Sequence, residues 1–243
     1  MTPAIAVFRP DDDRLREAVA LLESLGCEAV ADPMLAVDPA GVHPRTDAEF
    51  TVLTSKTGVE LADGADWVPT GEVCAIGSST AEALRAHGYG VDRVPGTYSS
   101  AGLVEELREA VDGARVEVAR SDHGSDVLTD GLVDAGAYVH ETVLYRLVRP
   151  DGAGESCDRA AAGDLDGALF TSSLTVEHFL AAAADRGIRD AAVAGLNDAV
   201  VGAIGRPTAD RAAELGIEVG VVPGTAEFET LAREVVGAVR ERA

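Results

Sequence analysis

The sequence predicts an α/β protein built on parallel β-sheets. Short apolar runs typical of buried strands alternate along the chain with segments whose apolar residues recur at helical spacing. The chain also repeats itself, because Ala75-Ile76-Gly77-Ser78-Ser79-Thr80-Ala81 returns as Ala203-Ile204-Gly205-Arg206-Pro207-Thr208-Ala209. Both copies lead at the same spacing to Val-Pro-Gly-Thr, at 94–97 and 222–225. We therefore expect two related units of roughly 110 residues, over 5–107 and 116–235.

The elements follow in order from apolar spacing, caps and glycine stops. A buried strand at 5–8 precedes a helix that starts with the N-cap chemistry of Asp11 to Asp13 and ends at Gly26. Further strands are predicted at 27–31, 50–55, 73–76, 115–120, 138–149, 168–172 and 200–204. Further helices are predicted from 56, at 77–88, 98–111, 125–135, 176–180, 190–197, 208–215 and 226–239.

Two segments are predicted to carry the chain from one unit to the other. Residues 32–39 are extended and bounded by Pro33 and Pro39, and residues 138–149 form an unusually long strand. The sequence leaves open whether each repeat is a unit by itself or the two repeats exchange halves across these crossovers.

Composition excludes several functional classes. The net charge of −22 arises from 42 acids against 20 bases, of which Lys56 is the only lysine. Nucleic-acid binding is disfavoured because it needs a basic face. Acids spread along the whole chain favour a surface adapted to high salt over an acidic interaction tail. The three cysteines and five histidines show no metal-binding spacing, and no signal peptide or membrane span is visible, so we expect a cytoplasmic protein without a metal.

Candidate binding residues follow the strands at their carboxyl ends, where open parallel sheets bind ligands. Gly77 and Gly205 would let an anion approach a helix N-terminus. For Thr80 and Thr208, helix capping and ligand binding remain equal alternatives, and the same holds for Ser55, Ser78, Ser172 and Ser173. No histidine or aspartate partner is apparent for these serines, so a nucleophilic serine is not expected.

A few side chains carry charge or an acidic proton in these regions. Arg9 and Arg120 follow strands in equivalent places and are candidates for carboxylate binding or for ordinary salt bridges. Lys56 opens a helix, where the dipole disfavours a cation, and this placement suggests an anionic ligand. Tyr145 is a polar-tipped residue on an apolar strand, for which half-buried packing is the ordinary alternative to a functional role. Tyr98 is expected to be a structural loop residue.

Taken in order, these features resemble the uroporphyrinogen-III synthase family over nearly the whole chain. Each motif alone is weak, and the ordered set is specific. The matching features are Arg9-Pro10, Thr54-Ser55, Ala75-Ile76-Gly77 with Thr80-Ala81, the proline-bounded loop before Tyr98-Ser99, Arg120 with Leu128 and Gly136, Val143-Leu144-Tyr145, Phe170-Thr171-Ser172-Ser173, and Ala203-Ile204-Gly205 with Thr208-Ala209.

The resemblance implies two flavodoxin-like lobes with parallel sheets, joined by a two-stranded linker, with a discontinuous first lobe. Lobe 1 would comprise 1–37 plus 149–243, and lobe 2 would comprise 38–148. It also implies a lyase without cofactor that cyclises hydroxymethylbilane, in tetrapyrrole biosynthesis leading to haem or cobalamin, and we expect a monomer.

The resemblance further implies roles for individual residues. Tyr145 would be the acid that expels the substrate hydroxyl, from a cleft between the lobes. The remaining site residues would bind substrate, and they are Arg9, Thr54, Ser55, Gly77, Ser78, Thr80, Thr171, Ser172, Ser173, Gly205 and Thr208. A non-catalytic two-lobed small-molecule binder or regulator of the same fold is the alternative.

Overall fold

The computed structural model describes residues 2–242 and has the predicted α/β class. The strands are β1 (Ala4–Phe8), β2 (Glu28–Ala31), β3 (Ala36–Pro39), β4 (Phe50–Leu53), β5 (Glu72–Ala75), β6 (Arg115–Ser121), β7 (Tyr138–Val148), β8 (Gly167–Phe170) and β9 (Val200–Ala203). The helices are α1 (Asp13–Ser24), α2 (Lys56–Gly64), α3 (Ser78–Ala86), α4 (Ser100–Leu107), α5 (Asp126–Asp134), α6 (Glu155–Ala162), α7 (Ser173–Asp185), α8 (Arg189–Asp198), α9 (Arg206–Glu214) and α10 (Phe228–Arg242).

The main differences from the sequence-based expectation concern helices. Helix α6 was not predicted, because its buried face consists of small residues and its N-cap is a glycine, Gly154, instead of a capping side chain. Helix α9 begins two residues earlier than expected, at Arg206, because a proline such as Pro207 fits the first helical turn. Helix α4 ends at Leu107, four residues before the expected end at Val111.

The chain separates into two compact units. One contains the residues up to Ala36 together with those from Val148 onward, and the other is Val37–Leu147. The chain therefore changes unit within β3 and again at the end of β7, and these two strands are neighbours in one sheet. Within residues 2–242, no helix is long and apolar enough to cross a membrane.

The first unit contains a parallel sheet with the strand order β2-β1-β8-β9. A parallel bridge between Gly202 and Val221 adds a short fifth position beside β9. This is the flavodoxin-like order, in which the direction of strand addition across the sheet reverses between two neighbouring strands, here β1 and β8. Every residue of β1, β8 and β9 is buried, because helices cover both faces of the sheet.

The second unit contains a sheet with the order β3-β7-β6-β4-β5, in which the pairings among β4 to β7 are parallel. A parallel bridge from Cys74 to Arg93 extends it beyond β5. Taken from β6, the order β7-β6-β4-β5 matches β2-β1-β8-β9 position by position. The two sheets are therefore copies of one topology, and β3 is an addition to the second.

Each sheet combines halves of the two sequence repeats. The first sheet joins β1 and β2 of the first repeat to β8 and β9 of the second. The second sheet joins β4 and β5 of the first repeat to β6 and β7 of the second. The alternative in which each repeat forms its own sheet is therefore wrong, and the halves are exchanged.

The core depends on aliphatic residues and a small aromatic cluster. Phe8 and Phe170, on neighbouring strands of the first unit, stack with ring centroids 4.6 Å apart, and Phe179 of α7 meets both edge-on. In the second unit Trp67 is buried and its ring lies 5.2 Å from that of Tyr89. Aromatic contacts of this kind stabilise the fold beyond what the burial of apolar area alone provides.

A buried carboxylate ties the two chain segments of the first unit together. Asp32, which follows β2, is 3% exposed. It accepts hydrogen bonds from the backbone N–H groups of Gly154 and Ser156, each at 2.9 Å, and from the Ser156 hydroxyl. It thereby satisfies donors at the start of α6 that the helix itself cannot satisfy. The N-cap residue Gly154 has no side chain to act as an acceptor, so this acceptor comes from a residue 122 positions earlier.

We predict that Asp32→Ala lowers the free energy of unfolding by about 2–3 kcal/mol, because three buried donors lose their acceptor. Denaturant unfolding measures the change. The matched control is Asp158→Ala in the first turn of the same helix, where an exposed ion pair with Arg186 is lost. That control should cost less than about 1 kcal/mol. Equal losses in the two variants would contradict the assigned role of Asp32.

Candidate active site

In the first unit, the predicted residues lie where β1, β8 and β9 end. Arg9 follows β1, Thr171 to Ser173 follow β8, and Gly205 follows β9. The order of strand addition reverses between β1 and β8, and in doubly wound sheets the crevice at this point is the usual ligand position. The order of the strands thus brings together residues that are far apart in the sequence.

Several of these hydroxyls already have partners in the protein. The Thr171 hydroxyl donates to the Phe8 carbonyl at 2.9 Å. Ser172 is the N-cap of α7 and forms a capping box with Thr175. The Ser173 hydroxyl donates to the Pro207 carbonyl at 3.2 Å, which links the starts of α7 and α9. These contacts shape the carboxyl edge of the sheet, and a direct role in binding substrate stays a prediction.

Arg9 is held by an aromatic ring and not by a carboxylate. Its guanidinium carbon lies 4.5 Å from the centroid of the Phe228 ring, at the start of α10. Partial burial, with a smaller contribution from nearby Arg14, lowers the pKa of Arg9. Stacking on the ring leaves the N–H groups at the edge of the guanidinium available for a carboxylate.

In the second unit, two predicted site residues form a hydrogen bond. The hydroxyl oxygens of Ser55, which follows β4, and Tyr145, near the end of β7, are 3.0 Å apart. Tyr145 is 7% exposed, so most of its ring is packed in the core. Ser55 is also the N-cap of α2, where its oxygen accepts from the Gly58 N–H at 2.9 Å. The strand order therefore unites a serine and a tyrosine that are 90 residues apart.

The geometry of this pair suits proton donation by the tyrosine. Since the Ser55 oxygen already accepts the Gly58 N–H, its own proton can be donated to the Tyr145 oxygen. Tyr145 is then free to direct its phenolic proton toward a ligand. A chain of hydrogen bonds that starts at a helix N-terminus also polarises each donor along it.

The two copies of the repeated motif differ in their accessibility. A β-carbon placed on Gly77 would lie 3.2 Å from the side chain of Tyr98, which therefore covers this glycine. At Gly205 the nearest atom to such a carbon is Pro207 Cδ, at 3.9 Å. The repeat places Ala226 where the other copy has Tyr98. The start of α9 is therefore the more open of the two predicted anion sites.

The threonines of the motif do not cap their helices. The N-cap residues of α3 and α9 are Gly77 and Gly205, which have no side chain to form a cap. Thr80 and Thr208 are each 4% exposed and lie on the buried faces of these helices. The capping alternative for these two residues is therefore wrong. Thr54 follows β4 and Ser78 opens α3, and their contact with substrate, like that of Thr80 and Thr208, stays a prediction.

Charge at these edges departs from the acidic character of the chain. The first turns of α2, α3, α4, α7 and α9 contain no Asp or Glu, although the helix dipole favours acids there. Lys56 and Arg206 instead open α2 and α9, and within residues 2–242 neither side chain has an ion pair or a hydrogen bond. Most other arginines are paired. A cation at this end of a helix is unfavourable without an anion, so both residues are candidates for binding one.

Sequence reasoning used Lys56 and overlooked Arg206. The available clue was that Arg206 occupies, in the second copy of the motif, the same first helical position that Lys56 occupies in α2. Arg120, by contrast, is 4% exposed and pairs with Glu141 at 2.7 Å, so the salt-bridge alternative applies to it. In the described part of the chain, no group of three or more His, Cys, Asp or Glu side chains is arranged to hold a metal.

The fold and the site together define the class: an α/β protein with two flavodoxin-like sheets whose carboxyl edges carry hydroxyl groups and unpaired cations. Comparison with known proteins identifies its family. A family model described as uroporphyrinogen-III synthase HemD matches residues 16–233. The chain belongs to the uroporphyrinogen-III synthase family.

Individual relatives agree with this assignment. A protein of Methanothermobacter thermautotrophicus described as "Putative uroporphyrinogen-III synthase" is 32% identical over 230 residues, which cover 88% of this chain and 90% of that protein. A uroporphyrinogen-III synthase of Chlorobaculum parvum is 22% identical over 171 residues, covering 69% and 67% of the two chains. The crystal structure of a mutant uroporphyrinogen III synthase from the extremely thermophilic bacterium Thermus thermophilus matches with a TM-score of 0.67 at 19% identity, covering 100% of both chains. This last likeness supports the two-unit fold.

Proposed function

We propose that the protein is a uroporphyrinogen-III synthase, a lyase that converts hydroxymethylbilane to uroporphyrinogen III with inversion of ring D and loss of water. The observation that carries the proposal is the hydrogen bond between Ser55 and Tyr145 at the carboxyl edge of the second sheet. It supplies a positioned acid in a protein whose family performs this cyclisation. We further propose that the enzyme is a cytoplasmic monomer that needs no cofactor.

Tyr145 would donate its proton to the terminal hydroxyl of the bilane, which leaves as water. The azafulvenium cation so formed is attacked by the substituted carbon of ring D, and the resulting spiro intermediate rearranges. The Tyr145 oxygen recovers a proton when the last ring carbon loses one, so the balance closes with the loss of one water. Ser55 holds the phenol in place throughout, which is general acid–base catalysis by a positioned group.

Binding is the larger part of the task. Hydroxymethylbilane cyclises unaided to the type I isomer, so the protein must hold the two ends of the bilane in one geometry. The eight carboxylates of the bilane would bind to helix N-termini and to cations such as Lys56 and Arg206. The overall charge of −22 opposes this polyanion. Salt screens the repulsion between the substrate and distant acidic residues, which fits the proposed adaptation to high salt.

Isomer analysis tests the proposed reaction directly. Purified protein is incubated with hydroxymethylbilane, and the oxidised products are separated by chromatography. We expect the type III isomer in clear excess over a protein-free control. If the product is type I alone, the protein is a non-catalytic binder of the same fold and the proposal is wrong.

A second prediction separates the acid from its positioning residue. Tyr145→Phe should lower kcat by about 10²-fold with a smaller change in KM, since general acid catalysis typically contributes at least this much. Ser55→Ala should also lower kcat. The control is Ser99→Ala, which removes the equivalent cap of α4, where the serine accepts from Gly102 N–H at 3.0 Å. Both serine variants lose about 1 kcal/mol of stability, and Ser99→Ala should keep the wild-type kcat. An unchanged kcat in Tyr145→Phe would remove the tyrosine from this role.

A third prediction concerns the unpaired cations. Arg206→Gln and Lys56→Gln should each raise KM about fivefold or more, equivalent to roughly 1 kcal/mol of lost substrate binding, with little effect on kcat. The increase should shrink at high salt. Arg85 provides the control, because it is also exposed but lies in the last turn of α3, where the helix dipole favours a cation. Arg85→Gln should leave KM unchanged. An equal rise in all three variants would indicate net charge alone.

A further inference from the structure

A polar row crosses the second sheet at a level where the first sheet is apolar. In the parallel register, Thr51 of β4 is opposite Glu117 of β6, and Glu117 is opposite His140 of β7. We call these three residues the polar row. Thr51 and Glu117 are 2% and 0% exposed, whereas His140 reaches the surface. Burying a carboxylate at the centre of a parallel sheet is costly, so its presence needs an explanation.

The first unit shows that the fold does not require the polar row. The internal repeat aligns Arg9 with Arg120 and therefore Ala6 with Glu117. The register of the first sheet places Ala6 opposite Val30 and Ala168, which complete the equivalent level. All three of these residues are buried and apolar. The same topology thus packs well with aliphatic side chains at this level.

Glu117 has a hydrogen-bonding capacity that the described residues leave unused. Its Oε2 is 2.6 Å from Nδ1 of His140. Its Oε1 is buried and has no hydrogen-bond partner within residues 2–242. Buried carboxylate oxygens without a donor are rare in folded proteins, and each one indicates strain or a function. A ligand that brings its own N–H group would satisfy this oxygen.

A cavity adjoins the polar row on the side away from the candidate active site. It measures about 460 Å³ and is lined by Glu117 and His140 together with the starts of β6 and β7 and the segment before β4. We call it the amino-edge cavity. Its size is within the range of small-molecule sites. All its lining residues belong to the second unit, and Tyr145 and Ser55 are not among them.

The walls of the amino-edge cavity favour an organic cation. Ala48, Val116 and Ala137 are buried apolar residues that border it. Tyr138 borders the cavity and is 71% exposed, so its ring can lie against a cationic group. The two arginines at the rim repel a cationic ligand only weakly, because Arg45 pairs with Asp47 at 3.0 Å and Arg115 lies near Glu49. The other carboxylate that lines the cavity is Glu117, whose Oε2 is beside His140 and whose Oε1 has no hydrogen-bond partner within residues 2–242.

We propose that the amino-edge cavity is a second ligand site that binds a small organic ammonium ion, whose N–H groups donate to Oε1 of Glu117. The apolar body of the ligand lies against the aliphatic wall and Tyr138. This site is separate from the residues assigned to the cyclisation. The proposal therefore holds whether or not the proposed function is correct.

The test uses 2-phenylethylamine as the probe, with 2-phenylethanol as its neutral counterpart, and calorimetry or ligand-observed NMR as the readout. The wild-type protein should bind the amine at least tenfold more tightly than the alcohol. Glu117→Gln, which keeps the size of the side chain, should raise the Kd for the amine at least tenfold. Glu60→Gln removes the same charge from the exposed face of α2 and should change the Kd less than twofold.

A second variant guards against a failure of Glu117→Gln to fold. Thr51→Ala, Glu117→Ala and His140→Val together copy the apolar level of the first sheet. The triple variant should fold with no loss of stability, fail to bind 2-phenylethylamine and form the type III isomer at the wild-type rate. The proposal is overturned if the wild type binds amine and alcohol equally, or if Glu117→Gln or the triple variant binds the amine as well as the wild type.

Discussion

Each sheet of this protein depends on a central strand that is paired on both sides by parts of the chain distant from each other. β1 pairs with β2, which follows within 30 residues, and with β8, which lies about 160 residues further along. β6 has the same position in the second sheet, between β7 and β4. Because all these strands are parallel, their carboxyl ends meet at one edge of each sheet. The candidate site residues come from these edges.

This constraint explains why the site contains few specialised side chains. Helices that follow parallel strands present free N–H groups at the same edge, where they can bind an anion. Five of these helices have no Asp or Glu in the first turn, so no carboxylate competes there. In the proposed mechanism, the added chemistry comes from one phenol held by one serine and from a few cations. The Ser55 hydroxyl contacts both the start of α2 and Tyr145, so the stability of the helix and the orientation of the Tyr145 phenol are coupled.

The two units also serve as internal controls for each other, since they share one topology. Where they differ, the fold alone does not account for the difference. Tyr98 covers Gly77, whereas the equivalent Ala226 leaves Gly205 open. Glu117 occupies a level at which the other sheet has Ala6. These are the positions at which the proposed binding roles of the two units differ.

The sequence by itself determined the α/β class, the order of most elements, the internal repeat and the family pattern, because apolar periodicity and glycine stops are local properties. It also indicated Tyr145, Ser55 and Lys56 as residues at strand ends. Only the tertiary structure decided that the repeats exchange halves, that Asp32 caps α6, and that Ser55 meets Tyr145. These are contacts between residues far apart in the chain. Periodicity shows which face of an element is buried, but the partner on that face is set by the packing of the whole unit.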